Sequence, residues 1–300
     1  MIKGLIDIHI GYRDRPTELA LLLQSLWHQT YKNFRIFISD DCSGSPIENY
    51  HFLMCMINKM NDSGHFVTYS RNDFNLGVSK NRQKMIDMSM KEGKAEYVAR
   101  LDDDVMVAPD YLEELLAVID QGFDLASGVT PFIGQPSFKR QSKFIQPIGN
   151  KVILNNKGEF LFNGDDFGME YIDEAIIPIH HFRSCALMKK EIFDKVSYES
   201  RLTKHGFREE QIFSFKCMIH GFKMGVNTKA VAWHLLTPSG GERFADSNEL
   251  VRINENVLIE FTKDLYEKHG DFIGAYNKLL GINYKTTPED LLKPANCMIR

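Results

Sequence analysis

Three hundred residues, 43% hydrophobic and 25% charged, supply one sizeable α/β core and exclude a fibrous or disordered chain. A net charge of -4 gives no basic balance for a nucleic-acid partner. No uncharged apolar run reaches the roughly 18 residues of a membrane span, and the N-terminal residues lack a signal-peptide core. The five cysteines, Cys42, Cys55, Cys185, Cys217 and Cys297, are scattered without a C-x-x-C pair and read as reduced thiols. The expectation is a cytoplasmic protein, with peripheral membrane contact and self-association compatible with it.

Residues 5–10 alternate as a strand and meet the polar loop Gly11-Tyr12-Arg13-Asp14-Arg15-Pro16, whose proline suits a helix first turn. A helix is predicted over 17–28, with Leu19, Leu22, Leu23 and Leu26 on one face. A strand over 34–39 then runs into Asp40-Asp41-Cys42-Ser43. A second helix is expected over 46–61 with Phe52, Leu53, Met56, Ile57 and Met60 inward, and a strand over 65–70. Asn75-Leu76-Gly77 turns into a helix capped by Ser79, with Met85, Ile86 and Met90 buried and Arg82 in its first turn. An arginine there suits an anionic phosphate; a surface salt bridge is the alternative.

The apolar run 96–101 reads as a buried strand, and it ends in Asp102-Asp103-Asp104. Adjacent carboxylates repel one another, so a fold that sets them at the edge of its core needs a cation, and oxygen ligands favour Mg²⁺ or Mn²⁺. Strand alternation would send Asp102 and Asp104 to one ion and Asp103 elsewhere. The bland alternative is a solvated acidic turn. An EF-hand is excluded, because Met106 and Val107 stand where an oxygen ligand and a glycine are required. In a parallel sheet, Asp40-Asp41 and the acidic triplet would share the carboxyl edge where ligands bind.

Pro109 opens a helix with Leu112, Leu115, Leu116 and Ile119 inward, and 123–129 forms a strand. Prolines and glycines break residues 130–181 into short pieces, with a hairpin turn at Asn155-Asn156-Lys157-Gly158; this is the expected surface for a second substrate. A strand and short helix follow over 182–196. Glu209-Glu210 open a helix carrying Ile212, Phe215 and Ile219 and stopped by Gly221. A strand over 223–233 ends at His234. The chain closes with a long helix over 248–269, its stripe formed by Leu250, Ile253, Val257, Leu258, Phe261 and Leu265, then a shorter helix ending near Gly281.

Five motifs stand in one order: Ile8-His9-Ile10-Gly11-Tyr12-Arg13-Asp14-Arg15, Ser25-Leu26-Trp27-His28-Gln29-Thr30-Tyr31, Ile38-Ser39-Asp40-Asp41-Cys42-Ser43, Asn75-Leu76-Gly77 with Arg82, and Leu101-Asp102-Asp103-Asp104. Together they resemble the nucleotide-sugar half of family two glycosyltransferases. The resemblance implies a GT-A type α/β fold, a Rossmann-like mixed sheet flanked by helices with a C-terminal helical extension. It implies a catalytic domain over 1–235 (a donor half, 1–104, and an acceptor half, 105–235) and a mobile loop and helical extension over 236–300. The implied activity is inverting transfer from a nucleotide diphosphate sugar, UDP foremost, to a hydroxyl of a saccharide or glycoconjugate, with Mn²⁺ or Mg²⁺ on the diphosphate.

Residue by residue, Tyr12, Asp41, Arg82, Asp102 and Asp103 would contact the nucleotide sugar. Asp104, His234 and Asp102 would hold the metal. Glu210 would be the general base, and Arg243, in the glycine-bearing loop 237–243, would reach the diphosphate. Two departures stand out: Gly11-Tyr12 replaces small polar residues, and the base is Glu instead of Asp. Two rivals are a sugar nucleotidyltransferase, which expects a more glycine-rich first loop, and an inactive sugar-binding relative.

Overall fold

The alternation of Ile6, Ile8 and Ile10 with Asp7 and His9 builds β1 (Ile6–Tyr12), the strand on which the sheet is laid, and the apolar side chains are fully buried. The computed structural model describes residues 4–131, 133, 176–182, 184–242 and 247–281, with the backbone of 152–154 and 160–162. β1 is followed by α1 (Pro16–Trp27), β2 (Phe34–Asp40), α2 (His51–Asp62), β3 (Phe66–Arg71), α3 (Val78–Glu92) and β4 (Tyr97–Asp102). Then come β5 (Val105–Val107), α4 (Tyr111–Asp120), β6 (Leu125–Val129), β7 (Val152–Leu154), β8 (Phe160–Phe162), β9 (Ile176–Pro178) and β10 (Ala186–Lys189). The last elements among the described residues are α5 (Glu209–Ile219), β11 (Met224–His234), α6 (Ser247–His269) and α7 (Phe272–Leu279).

Among the described residues the main sheet runs β3-β2-β1-β4-β10-β6-β11-β5, with β9 on β11. β3, β2, β1 and β4 are parallel, β10 is antiparallel to both β4 and β6, and β6 and β11 are parallel. β7 and β8 pair as an antiparallel hairpin whose turn, predicted at Asn155-Gly158, lies outside the described residues. Alternation along β4 sends Ala99 and Leu101 into the core shared with α1, α2 and α4. Val98 joins the opposite core, built from β10, α5, α6 and α7. Arg100 shares the face of Val98, and so points toward α5. Among the described residues no helix is long and apolar enough to cross a membrane, and Cys42, Cys55, Cys185 and Cys217 carry free thiols.

Several local expectations are corrected. The span 46–61 is a 3-10 turn, Ile47–Asn49, followed by α2. The break at Tyr50 sets the inward stripe at Leu53, Ile57 and Met60, so Phe52 is 49% exposed. Ser79 does not cap α3, which begins at Val78. The Asp41 carboxylate instead accepts from Leu76 N and Gly77 N, both at 2.8 Å, from outside the helix. Gly77 sits at φ 81, and a Cβ there would lie 2.4 Å from Lys204 Cα, so only glycine allows this approach. α4 starts at Tyr111, two residues beyond Pro109. In α6, Ile253 faces solvent and Asn254 is buried, because its Oδ1 accepts from Thr203 N at 2.8 Å.

Candidate active site

A cleft of about 430 Å³ opens at the carboxyl ends of β1 and β4, lined by Tyr12, Arg15, Asp41, Arg82, Asp102, Asp103, Asp104, Glu210, His234 and Glu242, among others. The sheet brings these together from six separate stretches of sequence. All the predicted site residues line it except Arg243, which lies outside the described residues.

The acidic triplet divides differently from the strand-alternation expectation. β4 ends at Asp102, and Asp103 and Asp104 occupy the turn to β5, where alternation no longer applies. Arg15, which the sequence did not single out, bridges them: Nη1 lies 2.8 Å from Asp103 Oδ1 and 2.9 Å from Asp104 Oδ2. Asp103 also accepts from Arg13 N at 3.1 Å. Burial pushes the Asp103 carboxyl up to about 7, against the opposing pull of Arg15. Asp104 is likewise raised by burial, opposed by His234 and Arg15. Asp102 turns to Arg82, whose Nη2 donates to its Oδ1 at 2.6 Å; burial alone would raise its pKa, but Arg82 and Arg100 hold it below the usual range.

His234 closes β11 with Nε2 3.6 Å from Asp104 Oδ1. Its Nδ1 accepts from Leu236 N at 3.1 Å, so in the neutral ring Nε2 carries the hydrogen. Ligation through Nε2 would therefore require the ring to give up the Leu236 contact. Among the described residues, no group of three or more His, Cys, Asp or Glu side chains is gathered to hold a metal by itself. Asp104 and His234 nonetheless offer one oxygen and one nitrogen ligand, a set that fits a divalent ion taking its remaining ligands from phosphate oxygens and water.

Arg82 does not stand free for a phosphate; it ion-pairs with Asp102 and with Glu209. Asp41 is similarly engaged, its Oδ1 also accepting from Asn72 Nδ2 at 2.8 Å. Tyr12 lines the cleft but is 1% exposed, and its hydroxyl is buried without a hydrogen-bond partner. At the start of α5 the two carboxylates part company. Glu209 is 2% exposed between Arg82 and Arg100, whereas Glu210 is 22% exposed, lines the cleft and touches Arg100. Loop 235–242 folds back over the β1–α1 loop: Gly241 N donates to Arg13 O at 2.8 Å, and Arg15 Nε to Ser239 O at 3.3 Å. Its Glu242 accepts from both Arg13 and Asn75. Arg15, Arg100 and Glu242 were missed; a charged residue inside an otherwise apolar strand was the available signal for Arg100.

The model of the family described as "Glycosyl transferase family 2" matches residues 7–197. The chain belongs to glycosyltransferase family 2. An uncharacterized glycosyltransferase of Haemophilus influenzae is 30% identical over 120 residues, 39% of this chain and 35% of that protein, so the match spans about a third of the curated relative. Among solved structures, S. aureus TarS 1-349 in complex with UDP-GlcNAc aligns over 92% of this chain and 72% of that one, with TM-score 0.59 at 15% identity. GalNAc-T7 with UDP, GalNAc and Mn²⁺ aligns over 91% and 55%, with TM-score 0.62 at 14% identity. At such identities the likeness is one of fold. This family 2 chain has the GT-A arrangement, with the cleft at the carboxyl edge of its parallel strands.

Proposed function

We propose that this chain is an inverting glycosyltransferase that moves a sugar from a nucleotide diphosphate sugar, UDP foremost, to a hydroxyl of a saccharide or glycoconjugate acceptor. The observation that carries the reading is that one cleft holds both the Asp104–His234 pair and the partly exposed carboxylate of Glu210. Complexes of the fold relatives with UDP-GlcNAc, or with UDP and Mn²⁺, support the donor class. Mn²⁺ or Mg²⁺ held by Asp104 and His234 would supply a Lewis acid to offset charge developing on the departing diphosphate. Glu210 takes the proton of the attacking hydroxyl, and one base opposite one leaving group inverts the anomeric centre. Tyr12 lines the donor side of the cleft and packs the core beneath it. Arg15 holds Asp103 and Asp104 together so that Asp104 faces His234.

Two substitutions test the base. Glu210→Gln should bind UDP-sugar with near-unchanged affinity and turn over at least about a hundredfold more slowly. Glu209→Gln leaves two buried guanidinium groups short of a counter-charge, so its effect should appear mainly as a lowered Tm. Full turnover in Glu210→Gln would sink the single-base reading.

A further inference from the structure

We propose that Arg100 is a positioning residue for the acceptor base, fixing one oxygen of Glu210 so that the other meets the incoming hydroxyl; the inference rests on Glu210 being the base. Arg100 lies on β4 with its side chain 3% exposed. Its Nη2 reaches Glu209 Oε1 at 2.7 Å and Glu210 Oε1 at 3.1 Å. The guanidinium is held without help from Glu210: Nε donates to Ser184 O at 2.8 Å, and its carbon lies 5.0 Å from the Phe182 ring centroid and 5.9 Å from that of Tyr198. Three anchors from the segments flanking β10, and a fourth in Glu209, make the arginine the fixed partner and Glu210 the one that is oriented.

Two features separate this arrangement from a buried ion pair that serves the fold alone. Asp102 and Glu209 already balance the charges of Arg82 and Arg100, so the contact to Glu210 is surplus to neutralisation. In addition, Glu210 is 22% exposed and lines the cleft, whereas a carboxylate that served only to neutralise Arg100 would be buried as Glu209 is. With Oε1 tied to Arg100 and Glu210 lining the cleft, Oε2 is the oxygen presented to the acceptor. A carboxylate held in one rotamer meets the reacting hydroxyl in the productive geometry, and a misplacement of about 1 Å can lower a rate about a hundredfold.

The test uses the full chain with Mn²⁺ and the UDP-hexose that gives the largest thermal shift, and follows UDP release with water as acceptor. Arg100→Lys keeps the charge and the stem but cannot reach Glu209, Glu210 and Ser184 at once. It should keep donor affinity within about twofold and lose about 10- to 100-fold in maximal rate. Arg100→Ala should regain part of its rate when guanidinium chloride is added at concentrations that do not unfold it; if that variant does not fold, Arg100→Lys carries the test. The double variant with Glu210→Gln decides the mechanism, because positioning through Glu210 predicts a loss no greater than that of Glu210→Gln alone. Losses that multiply, or an Arg100→Lys variant with unchanged rate, would overturn the inference. Wild-type rate in Glu210→Gln would instead overturn the base assignment on which it stands.

Discussion

Arg13 and Glu242, 229 residues apart in sequence, meet at 3.0 Å and join the loop after β11 to the loop after β1. Asn75 donates to the same carboxylate, so one side chain ties three loops around the cleft. Glu242→Ala should lower stability by about 1–3 kcal/mol, the usual loss for hydrogen bonds to a buried charge. It should also expose residues 236–242 to limited proteolysis. A cleavage pattern identical to that of the parent protein would show that the ion pair does not hold the loop.

The donor set predicts how a metal binds. Because the cleft offers Asp104 and His234 and no pre-gathered third ligand among the described residues, Mn²⁺ alone should move Tm little. Mn²⁺ with UDP together should stabilise, by about 2.7 kcal/mol at a hundred times the dissociation constant. Asp104→Asn should abolish the joint shift and leave the metal-free protein as stable or more so, since burial already disfavours that charge. A large shift with Mn²⁺ alone would mean a closed metal cage.

Cys42 adopts φ 58, a left-handed conformation that glycine takes up most readily. The left-handed backbone costs a side-chain-bearing residue roughly 1–2 kcal/mol, and glycine's extra freedom in the unfolded chain takes back part of that. Cys42→Gly should therefore raise stability by about 0.5–1 kcal/mol with donor affinity unchanged, as denaturant titration would read. A fall in stability would show that the Sγ contact to Asp73 O outweighs the strain.

His9 gives a pH dependence of known sign. Burial, with the charge of Arg35, pushes its imidazole down to about 3, while in the unfolded chain it titrates near the ordinary 6.5. The folded state therefore refuses a proton that the unfolded state accepts. The contribution is fully present above pH 6.5 and is lost as pH falls from 6.5 toward 3, at up to about 1.4 kcal/mol per unit. His9→Gln should be less stable at pH 7, losing the ring and its 2.6 Å contact to Ser89, but show a flatter stability profile between pH 7 and 5. Parallel profiles for the two proteins would place the acid sensitivity elsewhere.

Local periodicity carried the fold because its signals are local. Leu19, Leu22, Leu23 and Leu26 recur at helical spacing and all four are buried, and the apolar run before Asp102 is a central strand. The failures have long-range causes. No pattern near Asp41 reveals that its carboxylate closes on the turn before α3, and none near Asp103 points to Arg15 across the sheet. The exchange of Ile253 for Asn254 in α6 follows from one backbone N–H at Thr203 needing an acceptor. A hydrophobic stripe cannot register such a demand. Arg100 was legible only as an anomaly, a cation in a strand that otherwise reads as core.

The placement of β10 between β4 and β6 has a consequence for synthesis of the chain. Parallel strands β1 to β4 leave the ribosome well before β10, the neighbour that covers the β4 edge, which arrives only at residues 186–189. Until then the nascent chain presents β4 as an unpaired edge whose Tyr97, Val98, Ala99 and Leu101 are buried in the folded chain, the kind of surface that templates aggregation. Splitting the gene after residue 104 should therefore yield two insoluble fragments, and co-expressed pieces should complement only when the break falls after β10.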